Sequence, residues 1–400
     1  MPHLITGTIQ HYAWGGYQFI PEWLGQANPE QKPCAEYWLG THQKAPSLLW
    51  YDREQSVPLD TYIARDPAGI LGQKTADTFG RLPYLLKILD VRDMLSIQVH
   101  PTKEEAEAGF ARENEAGIPL DAPERNYKDD NHKPEMMVAL SEFYLLHGFR
   151  PEASLRRILN EVPELRVLSG YFDKRGYAGL YSHVMNMPSL RVHEILAPLL
   201  RRVTPLYQQG KLSRDHPDFW AARAVERAMS SVDDPDRGIF SLYLFNLVKM
   251  APGEGIFQAA GIPHAYLEGQ NVELMANSDN VLRGGLTPKH VDVDELLSHT
   301  RFEGIVPTIL PSGQEAGRWW DYPSAVRDFT LSKIAINRDQ VINMECNTVD
   351  ILLILAGKIS LQGDGALTGG RGNAVIMTAG EQATWRAHED TLIYRASVPS

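Results

Sequence analysis

Cysteine is almost absent from this chain: Cys34 and Cys346 are the two in 400 residues, and they stand far apart. Such a pair builds neither a disulfide framework nor a CxxC metal clip, and a reducing cytoplasm is the compartment it predicts. Long apolar runs are missing too. No stretch approaches the ~18 consecutive apolar residues that a membrane-crossing helix requires. The opening MPHLITGTIQ has no basic segment followed by an apolar one, so neither a membrane partner nor an export signal is expected. Positive charge is in deficit, 39 Lys and Arg against 50 Asp and Glu, for a formal net charge of −11. This balance argues against a nucleic-acid partner, and any anionic ligand must be held by a local cluster of cations rather than by the field of the whole molecule. Nothing in the sequence points to an obligate protein partner. Histidine is nearly absent from the last hundred residues, where His388 stands alone, so a metal site is not expected there.

What is present is the composition of an ordinary globular chain, 43% hydrophobic and 22% charged, long enough for two or three domains. Residues 1 to about 100 are rich in Gly, Pro and aromatics and read as β structure with many turns. The segments Trp14-Gly15-Gly16 and Glu36 to His42 read first as loop packing. Thr102 and Glu105 match a capping box opening a helix of about three turns. From Pro151 to about Asp233 the apolar period lengthens to that of a helix, with stripes at Leu155, Ile158, Leu159, Val162 and at Val192, Ile195, Leu196, Leu199. Strand texture returns over Ile239–Met250. After residue 300, apolar runs broken by Gly-rich turns suggest a second small β-sandwich. The expected fold is therefore mainly β with an α insertion. The expected divisions are 1–150 with 235–300, then 151–234, then 301–400.

Chemistry concentrates in LSIQVH, Leu95 to His100, and in HKPEM, His132 to Met136. Strand alternation turns Leu95, Ile97 and Val99 to one side and Ser96, Gln98 and His100 to the other. The same period puts Lys133 and Glu135 on one face. In Gly261 to Pro288, Ile262, His264 and Tyr266 share a face, and so do Asn271, Glu273 and Met275. An amide oxygen, two imidazoles and a carboxylate from Gln98, His100, His264 and Glu135 form a donor set suited to a borderline divalent metal such as zinc.

A QxH pair, a KPE and a GxxH in a β-rich chain resemble the metal motifs of the cupin barrel, with Gln replacing the first His of HxH. QVHPTKEEA, NYKDDNHKPEM, PHAYLEG and ELMANSDNVLRGGLTPKH, with AWGG and AEYWLGTH upstream, resemble the signature segments of the type I mannose-6-phosphate isomerase family. The resemblance implies a cupin, jelly-roll catalytic barrel, a helical domain and a C-terminal cupin-like β module. It implies one zinc per chain on Gln98, His100, Glu135 and His264. The implied reaction interconverts mannose 6-phosphate and fructose 6-phosphate through an enediol(ate), supplying mannose precursors for GDP-mannose. Arg283 matches the active-site arginine, Ser96, Lys133 and Lys289 match positions lining the substrate site, and Lys87, His132 and Asp279 match proton-transfer positions; Lys133, beside the metal, is also a candidate general base, with Asp279 and His132 as its rivals. Tyr266 and Glu273 fit either a role in positioning the sugar or a ligand imidazole or a structural hydrogen-bonding one. Two other readings share this ligand set. An iron-dependent cupin dioxygenase would not need Arg283 or Lys289, and a sugar-phosphate sensor would not need a proton-transfer group.

Overall fold

The computed structural model describes residues 1–313, 319–362 and 367–399. The strand His264–Ala276 organises the sheets that carry Gln98–Val99 and Glu135–Ala139, the strands of the LSIQVH and HKPEM segments. Over its first half it pairs antiparallel with Phe143–Phe149, and over its second half it lies between Tyr84–Val91 and Glu135–Ala139. One strand thus belongs to both walls of a sandwich. The bend between the walls sits at a register shift between Tyr266 and Glu268, followed by Gly269 at φ 129°. A Cβ there would lie 2.6 Å from the Phe143 ring and 2.7 Å from the Glu142 carbonyl oxygen. A positive φ and a backbone clash together require glycine. Gly269→Ala is expected to destabilise by about 1–3 kcal/mol, read as a lower midpoint of thermal unfolding; an unchanged midpoint would mean that the corner relaxes freely.

The fold is the expected mainly β one with a helical insertion, its catalytic sheets two cupin-type walls rather than a closed barrel. The strand path ends at Phe245–Met250 on one side and Thr8–Gln10 on the other. Val272 and Leu274 face a core shared with the terminal module, and Ala265 and Leu267 face the helices. Helices Glu152–Glu161, Arg166–Met185, Ser189–Gln208 and Pro217–Glu226 bury both predicted stripes in one core with Ile97 and Val99. The helix Lys103–Glu115 carries its capping box, Thr102 with Glu105.

Three expectations differ. Ile239–Leu244 is not strand but part of the buried helix Gly238–Leu244, with strand beginning only at Phe245. A continuous apolar run carries no period that separates buried helix from buried strand, and Asp236, accepting from the Gly238 and Leu286 amides, fixes the helical start. The first hundred residues hold four short helices, Phe19–Leu24, Leu59–Ile63, Pro67–Leu71 and Gln73–Phe79, where turns were expected. Finally, His3–Thr6, Leu48–Trp50 and Ser56–Pro58 join the eight-stranded sheet of the terminal module, His3–Thr6 pairing with Ala374–Met377. That sheet packs on a four-stranded one over Leu352, Val375 and Trp385. No helix among the described residues is long and apolar enough to cross a membrane.

Candidate metal centre and substrate cleft

Strand register assembles the site. Gln98 lies opposite His264 on one side and Arg283 on the other. Directly opposed residues of an antiparallel pair share a face, so His264, Gln98 and Arg283 form one row. On the other wall Glu135 lies opposite Gln258 and Met275, and Lys87 opposite Glu273 and Trp38. His100 directly follows the strand Gln98–Val99.

His100, Glu135 and His264 converge, with one donor atom of each within 4.8 Å of the others, all three buried. The Nδ1 of His100 lies 2.8 Å from the Asn280 carbonyl oxygen, and that of His264 lies 2.9 Å from the carbonyl oxygen of Ile262. A carbonyl only accepts, so each Nδ1 carries a proton and each Nε2 is the ring nitrogen left facing Glu135. Those Nε2 atoms lie 3.4 and 3.3 Å from the two Glu135 oxygens, and neither has a hydrogen-bond partner. Burial, then the neighbouring Lys133 charge, push His100 down to about 4, so it is neutral at pH 7. Burial alone would raise Glu135, but Lys133, at 3.1 Å, and His100 hold it well below the usual carboxylate range. Lys133 meets one Glu135 oxygen, while the other and both imidazole Nε2 atoms are left buried without a hydrogen-bond partner, an arrangement that a cation between them would relieve. Two imidazoles and a carboxylate are a donor set that fits zinc, and Gln98 stands opposite His264 in the strand register.

Beside this set, reached through Gln98 and Lys133, opens a cleft of about 660 Å³ lined by Ser96, by seven cations, Lys44, Lys87, Lys128, Lys133, Arg227, Arg283 and Lys289, and by the carboxylates of Glu36, Asp93 and Asp279. Burial lowers the pKa of Arg283, and Lys289 is lowered by burial, then by Arg283 and Lys44. Neither Arg283 nor Lys289 has an ion-pair partner among the described residues. Partly buried, mutually repelling cations without carboxylate partners suit an anionic ligand.

The structure does not bring every expected residue to this cleft. His132 is turned away, its Nε2 3.0 Å from Asp328 of the terminal module, because that buried carboxylate is its partner. Tyr266 and Glu273 do not line the cleft; the Tyr266 hydroxyl donates to Glu273 at 2.8 Å behind Lys87. Lys87 does line it, but its ammonium lies 3.3 Å from both Glu36 and Glu273 and over the Trp38 ring. Burial would lower its pKa, yet Glu36, Glu273 and Glu135 outweigh that and raise it, so it is a fixed cation rather than a base. Asp279 is at the cleft wall, and burial opposes its ionisation. His42 at 3.2 Å and Lys44 at 2.7 Å nonetheless hold its pKa well below the usual range. Leu95, expected on the apolar side, lines the cleft. Sequence reading passed over Glu36, Trp38, Lys44 and Lys128. Strand alternation in Glu36–Gly40, which puts Glu36 and Trp38 on one face, was the available signal for the first two.

Fold and site together define a cupin-type metal-site protein whose cleft is built for an anionic ligand. Comparison with known proteins narrows the class. The profile of the phosphomannose isomerase type I catalytic domain matches residues 3–152. The mannose-6-phosphate isomerase of Salmonella typhimurium is 39% identical over 333 residues, 82% of each chain, and the human one 33% identical over 429 residues, 98% of this chain and 97% of that one. Among solved structures, mannose 6-phosphate isomerase from Salmonella typhimurium bound to its substrate fructose 6-phosphate and to zinc superposes with a TM-score of 0.86 at 33% identity over the full length of both chains. A zinc-bound holo form gives a TM-score of 0.83. The chain belongs to the type I phosphomannose isomerase family.

Proposed function

We propose that the protein is a zinc-dependent aldose–ketose isomerase that interconverts mannose 6-phosphate and fructose 6-phosphate through an enediol(ate), in the cytoplasm, supplying mannose precursors for GDP-mannose. The observation that carries this reading is the buried His100–Glu135–His264 set, its Nε2 atoms unpartnered, beside a cation-rich cleft whose Lys133 reaches Glu135 at 3.1 Å. One zinc per chain would be held by Gln98, His100, Glu135 and His264 and would supply a Lewis acid beside the sugar oxygens.

The chain's own groups do the rest. As the proton leaves the carbon beside the carbonyl, negative charge grows on the C1 and C2 oxygens, and the Arg283 guanidinium, in register beside Gln98, donates to them. Lys133, which lines the cleft and reaches the Glu135 carboxylate, would in its neutral amine form take the proton from one carbon and return it to the other. Asp279 is a weak base because its ion pairs keep it ionised, and Lys87 adds a fixed positive charge. Ser96 and Lys289 hold the 6-phosphate, a hydroxyl and an ammonium being suitable donors to it. The reading divides the chain into a catalytic unit of 1–150 and 235–300, a helical unit of 151–234 and a terminal unit of 301–400.

Removal of metal by a chelator is expected to slow conversion of mannose 6-phosphate by at least ~10²-fold, with zinc restoring it. Full activity in protein shown to contain no metal would overturn the zinc mechanism.

A further inference from the structure

A buried polar joint lies between the metal ligands and the cleft, and the reaction as described leaves it without a task. Its centre is Asn280, 1% exposed. The Asn280 Oδ1 accepts from the backbone N–H of Lys128 at 2.7 Å and of Asp129 at 3.2 Å. Its Nδ2 donates to the carbonyl oxygens of Asp129 at 2.8 Å and Asn131 at 2.9 Å. One amide therefore holds the backbone of the segment 128–131 from both its donor and its acceptor side. The main-chain oxygen of the same residue accepts the Nδ1 proton of His100 at 2.8 Å. The Asp129 carboxylate fastens the two segments a second time, accepting from the Asp279 amide at 2.7 Å and the Ser278 hydroxyl at 2.8 Å.

The segment held this way carries Lys128 into the cleft. The Lys128 ammonium is anchored on the carbonyl oxygens of Leu120 at 2.9 Å and Ala122 at 3.1 Å, and it has no carboxylate partner among the described residues. Arg283 and Lys44 are charged neighbours that lower its pKa, after burial and Arg125. Both ends of this ammonium's position are thus fixed by backbone: its main chain by Asn280, its tip by two carbonyls. A cation so placed adds to the anion-binding wall without contributing to the metal set.

We propose that Asn280 is a positioning residue that holds Lys128 in place for the substrate's phosphate and, through its own carbonyl, keeps His100 in the tautomer whose Nε2 faces the metal. Substrate affinity and metal affinity then share one joint. The inference rests on the function proposed above and extends it to two residues that the sequence did not single out for any role.

A double-mutant cycle tests it. Asn280→Ala, Lys128→Met and the double variant are assayed on mannose 6-phosphate at saturating zinc, with zinc affinity measured separately by chelator competition. Asn280→Ala is expected to raise KM about tenfold while kcat stays within about threefold, because a displaced ammonium loses its contact with the phosphate. Lys128→Met should do the same, and the double variant should lie within about twofold of Lys128→Met, since contributions made through one group are not additive. Asn280→Ala keeps the carbonyl but loses the side-chain bonds that fix its main chain, so His100 loses a fixed partner and zinc affinity should fall by about tenfold or more, while it stays unchanged in Lys128→Met. Additive effects on KM, or a lowered thermal midpoint with KM and zinc affinity both unchanged, would overturn the inference. Should the alanine variant not fold, Asn280→Ser carries the same cycle. A wild type that binds zinc but does not turn over would sink the proposed function instead; the zinc affinities, read without turnover, still decide the role of Asn280.

Discussion

His264→Ala is expected to strip the protein of its metal and, with it, of activity. The imidazole sits at the start of the corner strand, buried, with Nδ1 bound to the Ile262 carbonyl oxygen and Nε2 3.3 Å from Glu135. Its removal deletes one of two imidazole donors and leaves His100, Glu135 and Gln98. A borderline cation held by one imidazole, one carboxylate and one amide loses much of its preference for the site over water. Glu135 keeps a partner, because Lys133 remains 3.1 Å away, so the vacated site is not left with an uncompensated charge. The fold should therefore persist while zinc content after desalting falls from about one per chain toward zero and turnover drops by roughly 10³-fold or more. Unchanged zinc stoichiometry would remove His264 from the ligand set.

The position of that histidine was legible from sequence because strand geometry is periodic. Val272 and Leu274 against Asn271 and Glu273, and Ile97 and Val99 against Gln98 and His100, sort to opposite faces as alternation requires. The capping box at Thr102 and the helical stripes of the insertion follow from equally local rules. What stayed hidden depends on partners distant in the chain. Nothing near Lys87 announces that Glu36 and Glu273 will close on it and hold it protonated. Nothing near His132 announces Asp328, almost two hundred residues on, as the group that draws it out of the cleft. The docking of His3–Thr6 beside Ala374–Met377 is likewise a pairing between chain ends, which no periodicity within either segment encodes. The paired carboxylates and the turned imidazole are the reason that Lys87 is held as a cation and His132 stands outside the cleft, while Lys133 and Asp279 line it.

Arg283→Ala is expected to lower kcat by about 10²- to 10³-fold while leaving zinc content unchanged. Arg283 lies opposite Gln98, in the row that ends at His264, yet it contributes no donor atom to the His100–Glu135–His264 set. Its guanidinium has no ion-pair partner among the described residues, and burial lowers its pKa, so substrate oxygens are the charge it is left to meet. Charge on those oxygens is greatest in the transition state, so the loss should appear in kcat and in kcat/KM about equally, with little change in KM. A guanidinium that served the phosphate instead would give the opposite split, a raised KM with kcat retained, because the phosphate carries the same charge throughout the reaction. Arg283→Lys separates the two further: an ammonium still meets a phosphate as a point charge but lacks the planar fork that reaches two oxygens at once, so it should restore little of kcat. A variant at this position that turned over like the parent would remove Arg283 from the mechanism.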